Sequence, residues 1–173
     1  RSFTSTVAGT DLIVGARSGQ LNLLLYTVFR IGNATNNISY AHFEQISRHP
    51  QVRWAIPLAL GDSHRGFRVL GTNNDYFRYF RYGEQQPLRL SSGREFASVY
   101  ETVLGADVAK KLGYQLGQDI VLSHGVGKVS FSQHKDQPFT VVGILAPTGT
   151  PVDQSVHVSL TGIEAIHQGW QNG

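Results

Sequence analysis

The sequence predicts an α+β fold in which short, irregularly spaced helices interrupt a larger number of strands. The clearest strand is Phe139–Ala146 (FTVVGILA), which is apolar on both faces and is therefore predicted to lie in the centre of a sheet. The clearest helix is the last one, where Ile163, Ile166, His167 and Trp170 recur at helical spacing. With 40% hydrophobic and 16% charged residues, the chain is apolar enough to bury a core.

In the N-terminal part, Thr10–Ala16 (TDLIVGA) is apolar and partly β-branched, which predicts a buried strand. A helix capped by Ser18 is predicted next, although the run from 26 to 31 is rich in strand formers. The apolar positions at helical spacing in this helix are Leu21, Leu24, Leu25, Val28 and Phe29. A second helix is predicted between its cap, Ser39, and Pro50, which ends it.

A hairpin is predicted in the middle of the chain. Trp54–Leu60 (WAIPLAL) alternates large apolar residues and is predicted as a strand. Because Pro57 has no N–H to donate, this strand is expected to lie at a sheet edge or to contain a bulge. We expect Gly61–Gly66 to form the hairpin loop and Phe67–Gly71 to be the returning strand.

The second half of the chain is predicted to alternate strands with short helices. Asn73–Tyr82 is predicted as a short helix or an aromatic turn. Another helix is predicted to start at Gly105 and to end at Gly113. Thr161 and Glu164 form a capping-box pair for the last helix. The remaining predicted strands are Ser98–Leu104, Asp119–Ser123 and Ser155–Leu160.

The charge distribution does not indicate nucleic-acid binding. The 15 basic and 12 acidic residues give a net charge of +3. The basic residues are scattered, apart from a small group made up of Arg65, Arg68, Arg78 and Arg81. No run of Lys or Arg is long enough to follow a phosphate backbone, so no nucleic-acid partner is expected.

Cysteine and methionine are both absent, and the chain begins at Arg1. Because an open reading frame begins with Met, we expect the chain to be a piece of a longer protein. No stretch approaches the roughly 18 consecutive apolar residues of a membrane-spanning helix, and no signal peptide is visible. Membrane helices of the parent protein are therefore expected to lie outside this piece.

No sequence motif indicates catalysis. The run 125–128 (GVGK) is not a phosphate-binding loop, because Leu122 and Val129 stand where that motif needs Gly and Ser or Thr. No GxSxG pentapeptide is present, and the neighbours of Ser92 are those of a turn residue. Asp153 is interpreted as a turn or Asx cap, and no paired carboxylates stand out. We predict no enzyme activity, no catalytic residues and no cofactor in this domain.

The seven histidines show neither an HExxH motif nor an i, i+4 pair. His157, on a strand, and His167, on the following helix, could converge in space. A metal site needs three or four ligands and supporting partners, so no metal ligands are assigned. A ligand- or metal-binding module that uses the histidines is kept as an alternative.

The segment 75–82 (DYFRYFRY) interleaves arginines with aromatic residues. Such a segment could contact a protein partner or stack on bases. In the other interpretation, Tyr76, Phe77 and Phe80 pack into the core and the arginines face water. We predict two partner contacts, this segment and the polar loop 124–138. The partner-contact residues within the segment are Arg78, Arg81, Tyr79 and Tyr82.

Several motifs resemble one family when they are taken in order. They are Val103–Gly113 (VLGADVAKKLG), Leu116–Ile120 (LGQDI) and Phe139–Leu145 (FTVVGIL). In this order and at these spacings they resemble the MacB-like periplasmic core domain of MacB/FtsX-type ABC-transporter permeases. Asp11–Gly15 and Ile56–Asp62 also resemble the permease branch, so the likeness extends over most of the chain.

The resemblance implies a porter-like α/β subdomain, assigned to residues 1–72 and 147–173, and a second, mainly β subdomain, assigned to residues 73–146. In the family, this region lies between the first and second of four membrane helices. It belongs to a protein of the bacterial inner (cytoplasmic) membrane and faces the periplasm. Family domains usually continue beyond a point like Gly173, so part of the native domain is expected to be missing.

The resemblance also implies a non-catalytic domain that relays ATP-driven motion to export or release an envelope substrate. ATP would be bound by a separate cytosolic ABC ATPase subunit, and the permease would form a homodimer or heterodimer. A periplasmic or envelope protein would be a further partner, and no family site residues can be transferred. The alternatives are a periplasmic ligand- or metal-binding module and a small extracellular hydrolase.

Overall fold

A mixed ten-stranded sheet organises the chain. The computed structural model describes the backbone of residues 10–16, 25–29, 44–45, 47–50, 52–124 and 137–171. Within these ranges it describes the side chains from residue 44 to residue 167, except those of 53 and 124. Most of the predicted helix between Ser39 and Pro50 and of the predicted loop 124–138 lies outside the described residues.

The predicted α+β fold is confirmed, since strands and helices alternate irregularly along the chain. The strands are β1 (Thr10–Ala16), β2 (Leu25–Phe29), β3 (Val52–His64), β4 (Phe67–Thr72), β5 (Arg81–Tyr82), β6 (Gln86–Pro87), β7 (Leu90–Gly93), β8 (Glu101–Leu104), β9 (Asp119–Ile120), β10 (Ser123–His124), β11 (Phe139–Leu145) and β12 (Ser155–Ser159). From residue 52 onward, the described helices are α1 (Asp75–Tyr79), α2 (Ala106–Leu112) and α3 (Leu160–Gln171), with a 3-10 turn at Pro151–Gln154. Residues 44, 45 and 47, within the predicted helix between Ser39 and Pro50, are also helical. None of the described helices is long and apolar enough to cross a membrane.

The strands of the sheet follow the order β2-β1-β3-β4-β12-β8-β11-β7. β10 adds to β3 and β9 to β11, while β5 and β6 form a separate two-stranded ribbon. The β4–β12 and β8–β11 pairs are parallel, whereas the other pairs are antiparallel. Strands assigned to the two predicted subdomains therefore lie in one sheet, and the division of the chain at 72/73 and 146/147 stays a prediction.

The two faces of the sheet bury different kinds of side chain. Buried residues on the face covered by α2 and α3 are mainly aliphatic: Val69, Leu104, Val108, Ile120, Leu122, Phe139, Val141, Val156, Val158, Ile163 and Ile166. The face covered by α1 is richer in aromatic side chains: Trp54, Ile56, Tyr76, Phe77, Tyr79, Phe80, Phe96, Val103 and Leu145. β12 shows the alternation, because Val156 and Val158 belong to the first face and His157 contacts Tyr76 on the second.

The helix predicted from the spacing of Leu21 to Phe29 is wrong for its described residues. Residues 25–29 form β2, which pairs antiparallel with β1 and places Leu25 opposite Val14. Pairing with β1 gives the backbone of this run hydrogen-bond partners from another strand. The strand formers noted between 26 and 31 fit that environment better than a helix.

β3 is an interior strand between β1 and β4, so the predicted edge position is wrong. Pro57 lies opposite Leu12 of β1. The pairs between β3 and β4 begin only at Ala59, which lies opposite Gly71, so Pro57 lies outside the part of β3 that pairs with β4. The loop of the hairpin is also shorter than predicted, since β3 continues to His64. The turn that remains is Arg65-Gly66, whose φ angles of 48° and 86° are those of a tight hairpin turn.

A bulge does occur in β3, between Ala59 and Asp62, and it decides which side chains face α3. Before the bulge, Ala59 lies opposite Gly71, and the side chain of Ile163 packs against that pair. After the bulge, Asp62 lies opposite Val69, a residue of the α2/α3 face. In a regular strand, residues three apart point to opposite faces. The extra residue therefore puts Asp62 on the same face as Ala59.

The elements of the C-terminal half were predicted well, apart from one cap. α1 and α2 form where expected, and Gly113 ends α2 with a φ of 68° in the left-handed region. β11 is an interior strand, as predicted. α3, however, begins at Leu160 and is capped by Ser159, whose Oγ accepts the N–H of Gly162 at 3.0 Å. The predicted capping box that starts at Thr161 is therefore wrong.

Two buried carboxylates order the loops beside the sheet. Asp153 accepts hydrogen bonds from the backbone N–H groups of Thr148 and Gly149, both at 2.8 Å. Glu101 accepts the N–H groups of Ala97 and Ser98 and is paired with the guanidinium of Arg94. The Arg94 hydrogen bonds, with help from the two N–H groups, lower the pKa of Glu101 to about 2. The carboxylate is therefore ionised at neutral pH and holds this loop in place.

Candidate partner-binding surface and polar clusters

The N-terminal end of helix α1 is held by the side chains of Asn73 and Asn74. The N–H of Asp75 donates to Asn73 Oδ1 at 3.0 Å, and Asn74 Nδ2 donates to the carbonyl oxygen of Phe96 at 2.9 Å. Tyr76 is buried, and its ring stacks on Phe80 with 5.1 Å between the centroids. These contacts fix the orientation of α1, so its outward side chains project from a firmly held support.

Arg78 and Tyr79 belong to a stack on the outer side of α1. The rings of Tyr79 and Trp54 are parallel to within 5°, with centroids 5.8 Å apart. The guanidinium carbon of Arg78 lies 5.9 Å from the centre of the Tyr79 ring, at cation–π distance. Arg78 is exposed, and among the described residues it has no salt bridge. The stack therefore presents a positive charge to solvent from a fixed aromatic base.

Arg81 and Tyr82 follow α1 in the β5–β6 ribbon. Arg81 Nη1 donates to the carbonyl oxygens of Arg78 and Phe80, at 2.9 and 3.0 Å, and so closes the end of α1. Tyr82 is half-buried and packs against the aromatic cluster of the α1 face. The structure thus places all four predicted contact residues on α1 and the ribbon that follows it. Their role as partner contacts stays a prediction.

A buried tyrosine–histidine pair joins α1 to the middle of the sheet. His157 is 0% exposed, its Nδ1 lies 2.9 Å from the carbonyl oxygen of Val103, and its Nε2 lies 3.1 Å from the hydroxyl of Tyr76. A carbonyl can only accept, so Nδ1 carries the proton and Nε2 accepts the Tyr76 O–H. Burial lowers the pKa of His157 to about 4 and raises the pKa of Tyr76. Both groups are therefore neutral at neutral pH.

A second polar cluster lies on the other face, where β3 runs past its bulge. The Nε2 of His167, on α3, lies 2.9 Å from Asp62 Oδ2 and 3.2 Å from Asp62 Oδ1. Asp62 is only 2% exposed, while the side chain of His167 keeps 18% of its surface accessible. This contact fastens α3 to β3 across 105 residues of sequence.

His64 lies two residues after Asp62, on the same face of β3. Its Nδ1 lies 2.7 Å from the carbonyl oxygen of Val121, and its Nε2 lies 2.7 Å from the hydroxyl of Tyr114. As in His157, the carbonyl requires that Nδ1 carries the proton, so Nε2 is the acceptor. Burial lowers the pKa of His64, and the bond to Val121 opposes that shift only in part.

His157 and His167, the two histidines proposed to converge, have separate partners. His157 contacts Tyr76 beneath α1, whereas His167 contacts Asp62 on the opposite face. Among the described residues, no group of three or more His, Asp or Glu side chains is arranged to hold a metal ion. Asp62 and His64 were not among the predicted site residues. Their Asp-x-His spacing was the available signal, because it puts both residues on one face of a strand.

The chain matches the family of MacB-like periplasmic core domains over residues 2–172. None of the curated proteins matches it. Among solved structures, it is similar to the crystal structure of a domain from Porphyromonas gingivalis whose description assigns it to a permease protein. The two are 13% identical with a TM-score of 0.44, and the match covers 88% of this chain and 62% of that one. This chain therefore spans less than two thirds of that domain.

The family match extends over nearly the whole chain and agrees with the resemblance of the motifs in Val103–Gly113, Leu116–Ile120 and Phe139–Leu145. This protein belongs to the family of MacB-like periplasmic core domains, which are periplasm-facing parts of ABC-transporter permeases.

Proposed function

We propose that this domain relays ATP-driven motion of its permease to a periplasmic or envelope partner, and that it does so without catalysing a reaction itself. The ATP would be bound by a separate cytosolic ABC ATPase subunit that acts through the membrane part of a permease dimer. The observation that carries the proposal is the exposed Arg78 of α1, which lies over the half-buried ring of Tyr79 and, beneath it, Trp54 of β3, on a helix that is fastened to the central sheet.

The attachment of α1 is what makes the stack suitable for transmitting force. Asn74 bonds to the loop at Phe96, and the hydroxyl of Tyr76 bonds to His157 in the middle of the sheet. A displacement of the sheet would therefore move the stack with it, rather than being absorbed by a loose loop. Aromatic residues and arginine are also the residue types that contribute most to the binding energy of protein interfaces.

The proposed absence of catalysis is consistent with how the polar side chains are used. The ring nitrogens of His157 and His64 and the carboxylates of Glu101 and Asp153 all have hydrogen-bond partners within the protein. These bonds join elements of the fold to one another. These bonds account for the burial of each group without requiring a role for it in catalysis.

The test is photo-crosslinking in the full-length permease, with a photoreactive amino acid at Glu84, in the exposed turn of the β5–β6 ribbon, or, as a control, at Lys111 on the opposite face. Envelope extract would be added with a non-hydrolysable ATP analogue. We expect a crosslinked envelope protein from position 84 and none from position 111. Co-purification of the ATPase should be the same for both, because that subunit would bind the membrane part.

A matched pair of double variants sharpens the test. Arg78→Ala with Arg81→Ala should abolish recovery of the envelope protein and leave the ATPase bound. Lys110→Ala with Lys111→Ala removes the same charge from α2 and should change neither. Loss of the ATPase from the wild type would contradict the transporter role. Equal recovery of the envelope protein by both double variants would remove the α1 surface from the proposal.

A further inference from the structure

We infer that acid opens a flap formed by residues 74–87, which include α1 and the β5–β6 ribbon. In this α1 flap, protonation of His157 removes the acceptor of the Tyr76 hydroxyl and releases the segment from the sheet. The opening itself does not depend on the proposed relay of motion. Its consequence for partner binding rests on that proposal, because the flap carries the four predicted contact residues, Arg78, Tyr79, Arg81 and Tyr82.

The backbone of the α1 flap is separate from the main sheet. The N–H groups of residues 76–78 donate to the carbonyl oxygens of Asn73 and Asn74, and that of Phe80 donates to Tyr76. β5 pairs with β6 alone. Among the described residues, no backbone hydrogen bond of the flap reaches a strand of the ten-stranded sheet. The flap can therefore leave the sheet without breaking its ladders, as a local opening requires.

Two side-chain hydrogen bonds, together with aromatic packing, fasten the flap to the described residues around it. Asn74 Nδ2 donates to the carbonyl oxygen of Phe96 at 2.9 Å. The hydroxyl of Tyr76 lies 3.1 Å from His157 Nε2 and so reaches the middle of the sheet. Of these two bonds, only the second contains a group that titrates between pH 7 and pH 4.

His157 can accept the Tyr76 hydroxyl only while its imidazole is neutral. Its Nδ1–H donates to the carbonyl oxygen of Val103 at 2.9 Å, so a second proton has to bind the accepting Nε2. His157 is 0% exposed, and the Tyr76 ring lies 5.1 Å from the imidazole, between centroids. A charged imidazole is disfavoured in such a place, and it gains water when the flap opens.

The closed flap favours the neutral imidazole through burial rather than through a nearby charge. Burial lowers the pKa of His157 to about 4, and the bond to Val103 opposes that shift. Charged or titratable side chains on the elements around His157 are Asp75, Tyr76, Arg78 and Tyr79 of α1, Arg68 of β4, Arg94 and Glu95 of the loop before β8, and Glu101 of β8. Glu101 is paired with Arg94, so it does not serve as a counter-ion for His157.

The size of the effect follows from the protons that each state binds. An imidazole exposed by the open flap has the ordinary pKa of 6.5, against about 4 in the closed flap. Above pH 6.5 neither state binds the proton, so opening does not depend on pH. As the pH falls toward 4, the open state binds a proton that the closed state excludes. Between pH 7 and pH 4 the equilibrium constant for opening should therefore rise about a hundredfold.

A similar pair on the opposite face supplies a matched control. His64 also donates its Nδ1–H to a carbonyl oxygen, that of Val121, and accepts a tyrosine hydroxyl, that of Tyr114. This pair joins β3 to the residue that follows Gly113 at the end of α2, and it lies outside the α1 flap. His64→Gln therefore removes a titrating imidazole without changing any contact of the flap.

The test is amide hydrogen exchange of the 173-residue chain, measured by mass spectrometry at pH 7, 5.5 and 4 and corrected for intrinsic exchange rates. Peptides from the flap report its opening, and peptides from β11 report global unfolding. At each pH we expect a larger opening constant for the flap than for β11, with the hundredfold rise toward pH 4. Low urea should leave flap opening unchanged, because a local opening exposes little surface.

The variants separate the histidine from its surroundings. In His157→Gln the flap should open to the same extent at pH 7 and pH 4, whereas His64→Gln should keep the pH dependence of the wild type. Tyr76→Phe keeps the ring and should raise flap opening at pH 7 by about tenfold or more. The β11 peptides show in the same experiment whether each variant folds.

Three results would overturn the inference. The first is an equal opening constant for the flap and β11 in the wild type, because the flap would then open only when the whole chain unfolds. The second is a pH dependence of flap opening that persists in His157→Gln. The third is wild-type opening in Tyr76→Phe, a readout that does not require His157→Gln to fold. Neither the ATPase nor an envelope partner takes part, so these results leave the proposed function untouched.

Discussion

The two faces of the sheet contain their polar groups in different places. On the α1 face, the polar pair of His157 and Tyr76 lies in the middle of an aromatic cluster, and both ring nitrogens of His157 are bonded. On the α2/α3 face, the middle is aliphatic, and Asp62 and His64 lie at the end of β3. The polar pair in the middle of the sheet fastens α1 to β12, whereas the polar groups at the end of β3 fasten this strand to α3 and to Tyr114, which follows α2.

The largest expected effect belongs to the aliphatic centre. Phe139 is 0% exposed and packs among Val, Leu and Ile side chains and the ring of Tyr100. Phe139→Ala removes that packing and leaves a cavity, so it should lower the free energy of unfolding by about 3–5 kcal/mol in urea denaturation. Phe139→Leu is the control and should cost clearly less. Equal costs for the two variants would mean that the site collapses around the cavity.

The next effect is the pH dependence contributed by the α1 face. The pKa of His157 is about 4 in the folded protein against an ordinary 6.5, so between these values the unfolded chain binds more protons. The contribution of His157 to stability is thus complete above pH 6.5 and is lost as the pH falls toward 4. The full loss is about 3 kcal/mol. Urea denaturation at several pH values, compared between wild type and His157→Gln, measures it.

In His157→Gln, the free energy of unfolding should fall less between pH 6.5 and pH 4 than it does in the wild type. The remaining loss in that range includes the contribution of His64, whose pKa is also lowered. Glu101 acts over a lower range, because its pKa of about 2 makes its contribution fade only as the pH falls below 4.5. An unchanged slope in His157→Gln would show that His157 is protonated in the folded protein.

Removal of one hydroxyl tests the Tyr76–His157 pair with a smaller expected change in stability. Tyr76→Phe keeps the ring but leaves the buried Nε2 of His157 without its donor, which should cost about 1–3 kcal/mol. The control is Tyr100→Phe, because the Tyr100 hydroxyl has no hydrogen bond to any described residue. Denaturation curves for the two variants should therefore differ. If both lie on the wild-type curve, the Tyr76 bond contributes nothing net to stability.

The smallest effect on stability is expected at the surface. Arg78→Ala removes an exposed guanidinium from the Tyr79 ring and should change the free energy of unfolding by less than about 0.5 kcal/mol. The same variant should nevertheless lose crosslinking to an envelope partner from a photoreactive amino acid at position 84. A large loss of stability would show that the stack is a structural element of the α1 face rather than a contact surface.

Local sequence chemistry predicted the elements that depend on neighbours in the chain. α2 ends at Gly113 because only glycine adopts a φ of 68° without strain, and that requirement is visible in the sequence. β11 was predicted as interior from its apolar run, and α1 from its aromatic spacing. The motifs around these elements also carried the resemblance to the permease family, which the family match confirms.

The predictions that failed concerned elements whose partners are distant in sequence. The spacing of Leu25, Val28 and Phe29 fits a helix, but β1 supplies a strand partner that local sequence does not reveal. Likewise, Gly61 is a residue typical of loops, yet β3 continues past it to His64. Both β4 and β10 pair with β3 beyond Gly61, and these pairs extend the strand.

The sequence by itself determined that the chain folds as α+β, which family it belongs to, and that α2 ends at Gly113. These properties follow from local backbone preferences and from motifs that are contiguous along the chain. Only the tertiary structure decided that Asp62 and His64 lie on the α2/α3 face, since one inserted residue in β3 reverses the side-chain alternation. It also separated His157 from His167, because successive residues of β12 point to opposite faces and α3 covers only one of them.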